Sequence, residues 1–332
     1  MSRTPDEPPP LPKERPRAGA VRSRLMLEIA SELVSRPAWT ARQARVTLRS
    51  QGGSSWELTL FGSDSVLVAS EVASGEVDFA IVNPATAIGP AVRGLAPFVH
   101  ALDLAAIATI PSHDQLGFAI AAHHGIERLD DLPVRTPALH LSLRAQRDHS
   151  VHTVVAHALG TVGVTLDDLR AWGGTIRYDE DIPDRGARAA AIRSGEIDAV
   201  FDEGTYNWID LALLAGFRFA ALGEPSLERL EAMGYRRSTL SARRHPSLTA
   251  DVPTIDFSGF LIYTRGATAD ELVTAFCEAL IARADRIPWQ GGPSLPLDRI
   301  ATDTIDAPIP IPLHPAAARF WTSRAGAKEK TL

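Results

Sequence analysis

"SGEVDFAIVNPAT", residues 74–86, and "SGEIDAVFDEGTYNW", residues 194–208, repeat one phrase, Ser-Gly-Glu-aliphatic-Asp, roughly 120 residues apart. Each copy follows a helix-like stretch: "SDSVLVASEVA" (63–73) before the first, "RGARAAAIR" (185–193) before the second. Gly75 and Gly195 then fall where a left-handed C-terminal cap is wanted, a conformation glycine adopts without steric cost. The runs 77–82 and 197–201 are short and apolar. Such runs suit strands buried on both faces, as in a parallel sheet covered by helices. Each ends in polar residues: Asn83, Pro84 and Thr86 in one copy, Asp202, Glu203, Gly204 and Thr205 in the other. Open α/β sheets bind ligands beyond the carboxyl ends of their strands. The phrase therefore predicts helix, tight turn, buried strand and site edge, twice. Two similar α/β lobes, each lending one strand end to a shared cleft, are the expected architecture.

Composition narrows the function classes. A chain of 332 residues is long enough for about two domains. Its formal net charge of -6 leaves no strong basic field, so nucleic acid is not expected as a partner. The single cysteine, Cys277, lies inside the apolar run "DELVTAFCEALIARA" and reads as a buried thiol, with no disulfide or cysteine metal site. No run approaches 18 apolar residues, so no membrane insertion is expected. The Pro-rich, charged opening "MSRTPDEPPPLPKERPRAGA" has no apolar secretion core and reads as a tail. As written, the chain is expected in the cytoplasm; a misassigned start or a removed signal would place it in the periplasm.

Along the chain, "RSRLMLEIASELVSR" predicts an amphipathic helix, with Leu25, Ile29 and Leu33 on one face and Pro37 as its stop. "ARVTLRS" reads as a strand leading to "QGGSSW". A helix over 63–73, strands at 77–82, 104–110 and 116–122, and a helix at 150–159 follow. A helix at 184–194, a strand at 197–201 and a helix at 205–214 complete the second unit. "TIDFSGFLIYTR" predicts one long strand with a glycine kink, and "ADELVTAFCEALIARADRI" the longest helix. Strands alternating with helices predict parallel α/β sheets. Crossings near 110–122 and 220–255 would make the first lobe discontinuous. The expected division is a tail at 1–20, lobe 1 at 21–112 plus 222–326, lobe 2 at 113–221 and a tail at 327–332.

The order of "SGEVDFAIV", "GIERLDDL", "SGEIDAVFDEG", "PTIDFSGFLIY" and the terminal "LHPAAARFW" resembles the TAXI-type solute-binding proteins of TRAP transporters, within the type 2 periplasmic-binding-protein fold. The match includes a His-Pro-small-Ala segment at His314, Pro315, Ala316 and Ala317, and it covers 21–326. The resemblance implies two Rossmann-like α/β lobes joined by two crossing segments, with a small solute, often a carboxylate, in the cleft. The chain departs from that pattern in lacking a secretion signal and a first strand before the first helix. It also carries "RAQRDHS" where a Gly-Ser-Gly loop is usual.

Each candidate site residue has a functional and a plain reading. Gly53, with Ser54 and Ser55 in "QGGSSW", either lets the backbone approach a ligand or forms a surface turn. Asn83 and Thr86 either bind a carboxylate or amide or cap a following helix. Arg144 and Arg147 either fork onto an anion or belong to a solvated loop. Asp148 or Ser150 is expected to cap the next helix, and His149 lies beside them. The adjacent acids Asp202 and Glu203 either receive a ligand ammonium or close the cleft through an ion pair with Arg144 or Arg147; alternatively these residues, with Thr205 and Tyr206, cap the helix at 205–214. Trp208 reads as core. His149, His152 and His157 share a helix but match no metal motif, His123 and His124 read as an exposed turn, and His314 as structural. No metal and no cofactor are expected. No Gly-x-Ser-x-Gly, phosphate loop, dinucleotide fingerprint or Cys–His pair is present.

The expected function is binding of a small, anionic, carboxylate-like solute by a monomer, for uptake or sensing with a membrane transporter or sensor partner. The alternative is a cytosolic enzyme on the same fold, acting on a small carboxylic or aromatic substrate.

Overall fold

The computed structural model describes residues 18–34, 43–49 and 57–329. The chain divides into two compact units, 1–42 and 43–332. In the first, the expected amphipathic helix is α1 (Ala18–Val34). Its Pro37 stop lies outside the described residues.

The second unit contains two five-stranded sheets. Sheet 1 runs β1 (Ala44–Arg49), β2 (Glu57–Gly62), β3 (Phe79–Val82), β12 (Phe260–Arg265), β4 (Leu104–Ile110). Sheet 2 runs β7 (Thr175–Asp179), β6 (His140–Arg144), β8 (Ala199–Asp202), β5 (Gly117–Ala121), β9 (Phe217–Phe219). Position for position the sheets agree. β2 and β3 are parallel, as are β6 and β8. The fourth strand, β12 or β5, is antiparallel to both its neighbours. Only the first edge differs: β1 is antiparallel to β2, whereas β7 is parallel to β6. The expected all-parallel sheets are therefore mixed, because β5 and β12 enter directly from the crossings and not from a covering helix.

Helices cover the sheets and set the core. α2 (Val68–Ser74) and α7 (Gly186–Ser194) precede the two repeat strands. α10 (Asp270–Ala282) and α11 (Pro315–Glu329) pack with Phe79, Ile107 and Ile262 of sheet 1. On sheet 2, α8 (Thr205–Leu214) buries Trp208 completely, as core. A further apolar cluster joins both sheets through α3 (Gly89–Arg93), α5 (Ser150–Thr161) and α9 (Glu224–Met233). Short helices α4 (Leu132–Arg135) and α6 (Leu166–Ala171) close loops of the second lobe, and β10 (Arg237–Leu240) pairs with β11 (Val252–Ile255) as a separate ribbon.

The repeated phrase builds the same device twice. Gly75 and Gly195 are left-handed caps at φ 84° and 76°. Gly75 N–H donates to Val72 O at 3.1 Å, and Gly195 N–H to Ile192 O at 3.3 Å. Val77 and Ile197 then bond back to Glu71 O and Ala191 O, both at 3.1 Å. The aspartate clamps the neighbouring strand: Asp78 Oδ2 accepts from Thr59 N–H at 2.7 Å, and Asp198 Oδ1 from His140 N–H at 2.6 Å. The phrase thus aligns each repeat strand with β2 or β6, and its aspartate works at the amino end of the strand.

Several boundaries differ from expectation. α2 starts at Val68, since 63–67 form turns in which Ser63 Oγ accepts Ser65 N–H. The stretch 252–265 is two strands, β11 and β12, parted by 256–259 with Gly259 at φ 76°. α10, with 13 residues, is shorter than α1 with 17 and α11 with 15. The stretch 57–62, to which the sequence assigns no element, forms strand β2.

Candidate functional site

The carboxyl ends of β3 and β8 meet at a polar seam framed by two adjacent crossings. The segments 111–116 and 256–259 run side by side. Phe257 N–H donates to Asp114 O at 2.9 Å, Asp114 N–H to Ser258 Oγ at 3.0 Å and Gly259 N–H to Ser112 O at 3.0 Å. This double link is where one sheet gives way to the other.

The seam's centre is charged. Asp202, at the end of β8, is fully buried and lies between two guanidinium groups. Arg144, ending β6, reaches Asp202 Oδ1 through Nε at 3.3 Å and Nη2 at 3.1 Å, and Nη2 also contacts Glu203 Oε1. Arg188, 1% exposed on α7, donates to Asp202 Oδ2 at 2.6 Å and to Ser142 Oγ at 2.8 Å. Burial alone would raise Asp202, but Arg144 and Arg188 outweigh it and hold the carboxyl below its usual range. Burial alone would likewise lower Arg144, and Asp202 with Glu203 reverses that.

Polar bonds cross from lobe to lobe. Ser150, the first residue of α5, donates its hydroxyl to Asn83 O and its N–H to Asp64 O at 3.0 Å. Gln146 Nε2 donates to Asp64 Oδ2 at 2.7 Å. Asp114 on the first crossing accepts the N–H groups of Gly204 at 2.6 Å and Thr205 at 3.3 Å. Burial, and next the charge of neighbouring Glu203, push Asp114 well above the ordinary carboxylate range.

The expected residues are thus placed as follows. Asn83, Arg144, His149, Ser150, Asp202 and Glu203 converge. Thr86 and Thr205 are buried at the two strand ends, 2% and 0% exposed, and neither Oγ1 has a hydrogen-bond partner among the protein atoms. Gly53, Ser54 and Ser55 lie outside the described residues. Arg147 is exposed and lies over Tyr178 of β7, its guanidinium carbon 3.1 Å from the ring centroid. Arg144, by contrast, is already paired with Asp202 and Glu203 as it stands. Asn83 does not cap the turn Ala85–Ile88, whose N-cap is Pro84 with no side-chain bond; its Nδ2 instead donates to Gly259 O at 3.0 Å. The α5 cap is His149, not Asp148 or Ser150: its Nδ1 accepts Val151 N–H at 3.1 Å. Buried in the seam, and next to Arg144, His149 falls to about 3. The cap of α8 comes from Asp114, in place of Asp202, Glu203 or Thr205.

Arg188, Asp114, Asp64, Gln146 and Ser258 went unread in the sequence. Arg188 sits in an alanine-rich helical run whose charge suggests a solvated face, and Asp114 acts on residues 90 positions away.

The helix histidines do not converge on an ion: His152 Nε2 bonds Gln146 O at 2.9 Å and His157 Nδ1 bonds Tyr235 OH at 2.8 Å. Among the described residues one group has metal-ligand spacing, His123, His124 and Asp198, at the amino end of β8 and away from the seam. There, too, no helix is long and apolar enough to cross a membrane. Cys277 is buried, its thiol pushed up to about 12 by burial and by Glu278.

Strand order, the two crossings and the facing strand ends make this a two-lobed α/β fold of the type 2 periplasmic-binding-protein-like class. No family model matches the chain, and no curated protein matches it. Among solved structures it is similar to a glycine betaine/L-proline-binding protein of an ABC transporter from Borrelia burgdorferi, with TM-score 0.37 and 12% identity over 64% of this chain and 66% of that one. It thus spans just under two thirds of that protein's length. Similar too are the substrate-binding protein of an amino acid ABC transporter (TM-score 0.28, 10% identity, 65% of this chain and 68% of that one) and the ATP phosphoribosyl transferase complex from Thermotoga maritima (TM-score 0.31, 13% identity, 82% and 94%). The fold class rests on the strand order and the crossings, not on these overlaps.

Proposed function

We propose that the protein binds a small carboxylate-bearing solute in the seam, as a solute-binding protein of the TAXI type serving a membrane transporter or sensor partner. Lobe 2 then runs from 113 to 221 and moves about the paired crossings to admit and release the solute.

The observation that carries this reading is the Arg144 fork. One arm of its charge is met by fully buried Asp202, and the other by Glu203, whose side chain is 19% exposed. Glu203 occupies the position a solute carboxylate would take. Exchange of one carboxylate for another keeps the guanidinium paired, so desolvation does not oppose it. The unpartnered hydroxyls of Thr86 and Thr205 offer two further hydrogen bonds from opposite lobes. The polar bonds across the seam, from Ser150 and Gln146 to Asn83 and Asp64, are each worth about 0.5–1.5 kcal/mol net, and they stand beside the apolar cluster that also joins the two sheets.

Thermal unfolding of the full chain with amino acids, betaines, mono- and dicarboxylates tests the reading. A true solute raises the melting temperature with concentration, by about 2.7 kcal/mol in stability at a hundredfold excess over Kd. The rise should vanish in Arg144→Met and persist in Arg147→Met. Absence of any shift across these classes, or a shift indifferent to Arg144→Met, overturns it.

A further inference from the structure

The two repeat aspartates share one task and part company on the other. Both clamp the N–H of the neighbouring strand. The second oxygen of Asp78 lies 4.0 Å from Arg265, but that of Asp198 lies 3.0 Å from His124 Nε2. His123 stacks against His124 with ring centroids 4.1 Å apart, on the single 3-10 turn Ala122–His124 that follows β5. One ligand atom from each of His123, His124 and Asp198 lies within 4.8 Å of the others.

We propose that His123, His124 and Asp198 form a binding site for a divalent transition-metal ion of the zinc, nickel or copper type. Two imidazoles and one carboxylate are the donor set such borderline ions take, while magnesium and calcium prefer all-oxygen sites. Bonds of about 2.0–2.1 Å put neighbouring donors roughly 3.0–3.4 Å apart, so the His124–Asp198 pair already stands at ligand spacing. His123, exposed and with its ligand atom within 4.8 Å of the other two, is the donor that must move to close the site.

The surroundings hold the carboxylate in place, as outer groups do in metal sites. Asp198 Oδ1 is fixed by His140 N–H at 2.6 Å, and its main-chain oxygen by Ala121 N–H at 2.7 Å. Asp198 is 7% exposed, His124 half-buried and His123 exposed, which gives an ion a route from solvent and leaves water its remaining positions. A His124–Asp198 hydrogen bond by itself gives no role to the third donor. The ion would staple the turn after β5 to the starts of β6 and β8. It sits at the amino end of β8, with Asp202 and the seam at the carboxyl end, so the site is independent of solute binding.

The test uses the full chain without a polyhistidine tag, stripped with chelator and titrated with Zn²⁺, Ni²⁺ and Co²⁺ by calorimetry and by cobalt visible absorption. The expected result is saturable binding of about one equivalent. His123→Ala and His124→Ala should each weaken it by about 10–100-fold, the range typical of damaged metal sites. His245→Ala, away from the site, should leave it unchanged. Metal should also raise the melting temperature of the parent chain but not that of the doubly substituted protein, whose metal-free melting confirms that it folds. No saturable binding, or binding unchanged in the double variant, overturns the proposal.

Discussion

Lowering the pH should destabilise this protein, and His149 is one identifiable cause. It is 8% exposed, caps α5 through Nδ1, and faces the Arg144 guanidinium. Burial first, and then Arg144, depress its pKa from 6.5 to about 3. The unfolded chain protonates this imidazole near 6.5 while the folded chain keeps it neutral. Its contribution to stability is therefore fully present above 6.5 and is lost as the pH falls toward 3. Between pH 6.5 and about pH 5 the loss is about 1.4 kcal/mol per pH unit, or about 2 kcal/mol in all. For a chain of this size that corresponds to roughly 4 °C in melting temperature. His149→Asn keeps a cap acceptor and removes the titration. Denaturant unfolding of both proteins at about pH 7.5 and pH 5 isolates the effect, because His152 and His157, also lowered by burial, are common to both. The variant should lose about 2 kcal/mol less on acidification. Equal losses in the two proteins would refute a buried neutral His149.

Three further outcomes are expected. Arg188→Ala strips fully buried Asp202 of one of its two cations and should cost about 3–5 kcal/mol in urea unfolding; a loss under about 1 kcal/mol would mean the pair is solvated. Gly75→Ala and Gly195→Ala should each cost about 1–2 kcal/mol because both caps are left-handed, and Gly75→Ala the more, since its Cβ would meet Arg265 Nη1 at 1.7 Å; stabilisation, as in an ordinary helix, would contradict the caps. Glu203→Gln should tighten any carboxylate that depends on Arg144, measured by calorimetry, and weaker binding would show that Glu203 does not compete with the solute.

Much of the fold was legible because its elements are locally encoded. The repeated phrase announces a glycine cap, an apolar run and a polar end, and all three occur twice where expected. Strand β4 was read at 104–110 because seven apolar residues in a row leave few alternatives. Pairing across long separations was not legible. Nothing in "SGFLIYTR" says that β12 lies between β3 and β4, or that β5 leaves its neighbour β4 to join the other sheet. The site shows the same division. Strand ends pointed to Asn83, Thr86, Asp202 and Glu203, but the partners that neutralise or cap them, Arg188 and Asp114, come from distant segments. The sequence places His149 in a loop, yet its role follows from a burial that composition does not disclose.

The position of β12 also bears on the order in which the molecule is made. Every strand of sheet 2 lies within residues 117–219, so that sheet is complete on a nascent chain soon after β9 emerges. Sheet 1 lacks its inner strand until residue 265 has been synthesised, and until then the edges of β3 and β4 are unpaired. The second sheet can thus complete its strand pairing on the ribosome while the first waits, exposed, for its keystone.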